Sequence, residues 1–140
     1  MVMEVVRDAA GPTHPPVATK VAALDFDGTI KPWSGGLFGF PDPLPGAVEA
    51  VQRLKDAGYK VVIFTSRLST VWHEAEGWNS HEATAKQVEY IRSYCERFGI
   101  DADAVTAEKI PAEVYLDDKA MGVTKTRSLL RRTKEFLRGQ

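Results

Sequence analysis

Two aspartates, Asp25 and Asp27, stand in the stretch Asp25-Phe26-Asp27-Gly28-Thr29, directly after the apolar run Val21-Ala22-Ala23-Leu24. Such a run reads as a buried strand. Side chains alternate along a strand, so residues two apart point the same way. If the strand geometry persists through its end, both carboxylates face one site. Close carboxylates repel unless a cation, a shared proton or a chemical task occupies the space between them. Gly28 then lets the chain turn sharply.

Three further groups follow strand-like runs or flank them. Thr65, in Phe64-Thr65-Ser66-Arg67, follows the apolar run Val61-Val62-Ile63-Phe64. Lys109 precedes the run Val114-Tyr115-Leu116, which closes on Asp117-Asp118. Each has a plain reading on its own. The aspartates could cap a loop, Thr65 and Ser66 could be turn residues, and Lys109 could be a solvated surface lysine. Arg67 could contact a ligand or form a structural ion pair.

Taken in order, the four groups resemble the four motifs of the haloacid dehalogenase (HAD) superfamily of phosphotransferases, over about residues 20–120. The segment from Lys109 to Ala120 is similar to small members with a lysine shortly before an Asp-Asp ending. The resemblance implies that Asp25 is a nucleophile that becomes an aspartyl-phosphate and that Asp27 is the general acid and base. It implies a phosphate cradle at Gly28, Thr65, Ser66 and Arg67, and a fixed positive charge at Lys109, with Lys119 as rival. It also implies Mg2+ held by the Asp25 carboxylate, the Asp27 main-chain carbonyl and Asp117. Asp118 is either a further, water-mediated ligand or a partner that orients Lys109. An acid two residues after the nucleophile favours phosphatase or phosphomutase chemistry, and the chain has little room for the cap that mutases need.

The elements that must position these groups follow from pattern. A first core strand is expected over about 20–25, and a second over 60–65. A weak strand is expected near Val105 and a strong one over 114–117. Pro45 opens a helix to about Ala57 with Val48, Val51 and Leu54 on one face, ended by Gly58. Asn79 to Glu82 resembles a capping box before a helix with Val88, Ile91, Cys95 and Phe98 at helical spacing, stopped by Gly99. Residues 68–78 read as irregular or a short helix, and 124–137 as a last helix. Ser34-Gly35-Gly36, amid Trp33, Leu37, Phe38 and Phe40, is a hairpin-turn candidate, where the resembled family has a β-hairpin flap. Alternation of strands and helices predicts an α/β fold, a three-layer sandwich with a mostly parallel, HAD-like (Rossmann-type) sheet and no large cap domain. Right-handed crossovers put every strand C-terminus on one edge, where ligands bind.

With 140 residues, the chain suggests one domain, expected over 20–140 behind a leader, 1–19, that could include an edge strand over Val2–Val6. The net charge of −1 gives no global field to draw in nucleic acid or acidic lipid. No apolar run approaches the roughly 20 residues of a membrane span. The single cysteine, Cys95, excludes an internal disulfide and fits a reducing, cytoplasmic setting. His14, His73 and His81 lack ligand spacing, so no zinc is expected. A small-molecule phosphate ester is the expected partner, for a monomer or homo-oligomer. The basic 125–138 segment reads first as a solvated helix surface and keeps a nucleic-acid end as an alternative substrate. A non-catalytic phospholigand-binding module is the other alternative.

Overall fold

The structure is a computed structural model and describes residues 3–6, 20–116 and 129–140. Five strands, β1 (Glu4–Val6), β2 (Lys20–Leu24), β3 (Tyr59–Phe64), β4 (Ala104–Thr106) and β5 (Val114–Leu116), form one sheet in the order β1-β4-β3-β2-β5. Every pair is parallel. The register sets Leu24 opposite both Ile63 and Leu116, and Ile63 opposite Val105. All strands therefore end together. The expectation of an α/β fold on a mostly parallel sheet holds.

The strands are near-continuous apolar runs because both their faces are covered. On one face Ala22, Leu24, Val61, Ile63 and Val105 join a single core with α1 (Ala47–Asp56), α3 (Ser80–Phe98) and α4 (Leu129–Arg138). Right-handed β2–α1–β3 and β3–α3–β4 crossovers progress in one direction across the sheet, so both helices land on that face. On the opposite face Val21, Val62 and Ala104 pack against Ile110 and Ala112. Those two residues belong to the extended segment 107–113, which joins β4 to β5. Among the described residues no helix covers that face, so they show two layers and a crossing strap.

Local signals explain the helix ends. The Asn79 side chain accepts a hydrogen bond from the Glu82 N–H at 3.0 Å, and Gly99 closes α3 in the left-handed region at φ 70°. For α1 the first turn differs from expectation: Gly46, at φ 82°, caps it rather than Pro45 opening it. A Cβ on Gly46 would sit 2.8 Å from the Leu130 Cβ, so glycine is what lets α4 approach. Val48 lies outward, 37% exposed, and the buried face of α1 is Ala47, Ala50, Val51 and Leu54. A 3-10 turn (Ser66–Leu68) and α2 (Thr70–Ala75) fill the stretch after β3.

The hairpin expected within residues 30–45 does not form. The segment is a series of turns whose nearest approach to a ladder is the isolated bridge between Asp27 and Lys31. Side chains take the carbonyls a ladder would need. The Tyr90 and Tyr94 hydroxyls, both on α3, donate to the Gly39 and Pro41 carbonyls at 2.5 and 2.8 Å. Gly35 and Gly39 also close on each other so tightly that a Cβ on Gly39 would overlap the Gly35 carbonyl oxygen. No helix of the described residues is long and apolar enough to cross a membrane.

Candidate active site

Asp25 and Thr65 continue adjacent strands past the carboxyl edge of the sheet. The Asp25 N–H donates to the Leu116 carbonyl at 3.0 Å, and the Thr65 N–H donates to the Thr106 carbonyl at 2.8 Å. The Asp25 carboxylate accepts from the Phe26 N–H at 2.9 Å. Beyond it the chain coils: the Ile30 and Lys31 N–H groups both donate to the Phe26 carbonyl at 2.9 Å, and the Gly28 N–H donates to the Lys31 carbonyl at 2.7 Å. Gly28 adopts φ 80°, which this turn requires. Its N–H is thus engaged within the turn.

Asp27 is held from two sides. Arg67 grips both its oxygens, Nε to Oδ2 at 2.7 Å and Nη2 to Oδ1 at 2.9 Å. Lys31 Nζ approaches Oδ1 at 3.8 Å. The remaining Arg67 nitrogen donates to the Leu37 carbonyl at 2.5 Å and to Gln87 Oε1 on α3 at 3.1 Å. The Phe26 and Tyr90 rings lie 5.4 and 5.0 Å from the guanidinium carbon. A planar donor fork matched to a carboxylate is the strong form of an ion pair, and the aromatic faces favour Arg over Lys at this position. Arg67 therefore appears here as an ion-pair partner, the second of the two readings its sequence position offers.

Lys31 is fully buried, and its ammonium donates to the carbonyls of Pro32 and Ser34 at 2.9 and 2.8 Å. Burial pulls its pKa below the ordinary lysine value; Asp27 opposes that shift and Arg67 adds to it. Sequence reasoning missed this residue. The available signal was an i, i+4 spacing from Asp27 inside a stretch flanked by Ile30 and Trp33. His73, also buried, braces the other side. Its Nε2–H donates to the Arg67 carbonyl at 2.7 Å, and Ser80 Oγ lies 3.0 Å from Nδ1. The histidine without ligand spacing is a clamp on the arginine.

Thr65 is buried, and its hydroxyl accepts from the Arg67 N–H at 3.2 Å, capping the 3-10 turn. Ser66 is exposed at the cavity described next. Lys109 is exposed, with its ammonium 5.5 Å above the Tyr115 ring rather than beside a carboxylate that the structure describes. The Tyr115 hydroxyl in turn fixes the strap, accepting from the Ile110 N–H at 2.7 Å and donating to the Ile110 carbonyl at 2.5 Å. Asp117, Asp118 and Lys119 lie outside the described residues. A cavity of about 440 Å3 opens beside this cluster, lined by Asp27, Arg67, Ser66, Trp33, Leu37 and Trp72.

The donor chemistry suits a hard divalent cation in one respect. The Asp25 carboxylate and the Asp27 main-chain carbonyl are both oxygen donors at one strand end. The Asp27 side chain is committed to Arg67, so Asp27 could contribute its carbonyl and not its carboxylate. Among the described residues no three acidic, histidine or cysteine side chains gather as a ligand set. Comparison of the chain with protein-family models, with curated proteins and with solved structures gives no match in any of the three.

Proposed function

We propose that the chain is a HAD-like phosphatase without a cap domain, hydrolysing a phosphomonoester through an aspartyl-phosphate on Asp25. The observation that carries this reading is the convergence of Asp25, Asp27 and Thr65 at one carboxyl edge, where Asp27, Ser66 and Arg67 border a cavity. In this reading the Asp25 carboxylate attacks phosphorus as the ester P–O bond breaks. Asp27 gives its proton to the departing alkoxide, then takes one from the water that attacks the aspartyl-phosphate. Inorganic phosphate leaves and Asp25 is regenerated. The Thr65 hydroxyl and the Ser66 N–H would hold phosphate oxygens. Mg2+, held by the Asp25 carboxylate, the Asp27 carbonyl and the aspartates at 117 and 118, would supply the positive charge that lets a carboxylate meet a phosphate dianion.

The Arg67 fork sets a condition on this scheme. Asp27 can carry a proton only if one of its oxygens leaves the guanidinium, so substrate binding must loosen one arm of the fork. The same fork favours a second reading, a non-catalytic phospholigand-binding module in which Asp27 stays locked. Hydrolysis of a generic aryl phosphate, with Mg2+ and with chelator, separates the two. Metal-dependent turnover that Asp25→Asn abolishes is expected. Turnover that survives Asp25→Asn would remove Asp25 as nucleophile, and binding of a phosphate mimic without turnover of any ester would leave the module.

A further inference from the structure

The cavity next to Asp27 is walled by two indoles, Trp33 and Trp72, and by Leu37. Trp33 is 66% exposed. It shares the cavity wall with Leu37, itself 38% exposed, and contiguous exposed apolar surface of this kind marks ligand-binding grooves. The Trp33 backbone is not loose. The buried Lys31 ammonium donates to the carbonyls on either side of it, Pro32 and Ser34. Trp72 is also fixed: the Trp78 ring meets it edge-on at 4.9 Å and the His73 ring lies 5.4 Å away. The Trp72 indole and the Trp33 backbone are thus set in advance, and the polar side chains of the lining are Asp27, Arg67 and Ser66. The size falls in the range of roughly 300–1,000 Å3 that small-ligand sites occupy.

We propose that this cavity binds a flat aromatic ring on the leaving-group side of a small phosphomonoester, with Trp33 and Trp72 as its stacking walls. The inference rests on the phosphatase reading for the phosphate half and on the two indoles for the ring half. Two indoles on one cavity favour a flat ring over a saturated group of the same size, because stacked and edge-on contacts need a π-face. Lys31 couples the two halves, since it anchors the Trp33 backbone while lying beside Asp27.

The test is calorimetric titration of the protein, with Mg2+ present, with two phosphonates of equal charge and carbon count. One carries a naphthylmethyl group and the other its saturated decalin counterpart. The naphthyl compound is expected to bind about tenfold more tightly. Trp33→Ala and Trp72→Ala should each reduce that preference to about twofold or less, and Trp33→Phe should keep most of it. Equal affinities, no measurable binding of either compound, or a preference unchanged in both alanine variants would overturn the proposal. Hydrolysis of the two matching phosphate esters separates this from the phosphatase reading. Turnover without ring preference defeats the ring site alone, and ring-selective binding without turnover of either ester defeats the phosphatase alone.

Discussion

The Arg67 guanidinium closes on both carboxylate oxygens of Asp27, at 2.7 and 2.9 Å, from a position 40 residues further along the chain. The pair joins the turn after β2 to the turn after β3, and its third nitrogen fastens the loop at Leu37 and α3 at Gln87. With side-chain exposures of 6% and 15% the two groups are largely shielded from water. Removal of one member leaves a buried charge short of a partner, which is more damaging than the pair is stabilising. Arg67→Met is expected to lower the unfolding free energy by about 3 kcal/mol. Arg67→Lys should recover only part of that, because an ammonium cannot form the fork. Urea unfolding of both variants checks this, and a methionine variant as stable as the parent would contradict it.

Lys31 should matter to the loop more than to the core. Lys31→Met keeps the apolar stem and deprives the Pro32 and Ser34 carbonyls of their donor. A loss of about 1–3 kcal/mol is expected from the unmade hydrogen bonds. Proteolytic cleavage within residues 32–36 should accelerate more than global unfolding does. Cleavage rates that follow global stability alone would show that Lys31 does not hold this loop.

Thr29 offers a check on an unpaired group. Its hydroxyl is buried and has no hydrogen-bond partner among the described residues. Thr29→Val removes a desolvated polar atom at nearly constant volume, so stability should stay level or rise by about 1 kcal/mol. A loss of stability would reveal a partner for that hydroxyl, such as an ordered water.

Alkaline pH should unfold the protein through groups that the fold keeps protonated. Burial, the leading cause, lifts the Cys95 thiol from 9.0 to about 12, and burial also raises Tyr90 and Tyr94. The folded chain then binds more protons than the unfolded chain, so stability falls as pH rises above 9. For Cys95 the loss is about 1.4 kcal/mol per pH unit up to its folded pKa. Lys31, lowered from 10.5, acts in the opposite sense and makes stability rise with pH in the window below that value. Cys95→Ala should therefore flatten the decline between pH 9 and 11. An unchanged slope in urea titrations would rule out the thiol as a contributor.

The strand ends were legible because apolar runs, each followed by a polar or glycine-containing turn, mark them without ambiguity. Asp25, Asp27 and Thr65 could be placed at one edge for the same reason, since the parallel register carries every such end there. Asn79 and Gly99 announced α3 through local hydrogen bonding. What was not legible depends on partners far apart in sequence. The local spacing of Lys31 from Asp27 hints at a pair but not at full burial, and nothing local tells that His73 clamps a carbonyl six residues earlier or that Gln87 completes the contacts of Arg67. The hairpin was misjudged because Ser34-Gly35-Gly36 has the composition of a tight turn, whereas tyrosines on a distant helix decide which carbonyls are taken. The aspartates and lysine at 117–119 fall outside the described residues.

The sheet order also bears on the order in which contacts can form. β2 meets β3 across one short helix, but it meets β5 only after β3, α2, α3 and β4 have run between them; the contact of the Val21 N–H with the Glu113 carboxylate spans 92 residues, and the β1–β4 pairing of Glu4 with Ala104 spans a similar stretch. Closing so long a loop forfeits chain entropy before any contact rewards it. Val61→Ala is expected to slow folding, and Leu116→Ala chiefly to speed unfolding, a contrast that chevron kinetics would read directly and that equal φ-values would refute. Asp25, whose N–H is anchored by the last residue of β5, thus depends on one of the two longest-range pairings in the sheet. The edge that carries the carboxylates is expected to be among the last parts of the protein to be made and among the first to be lost.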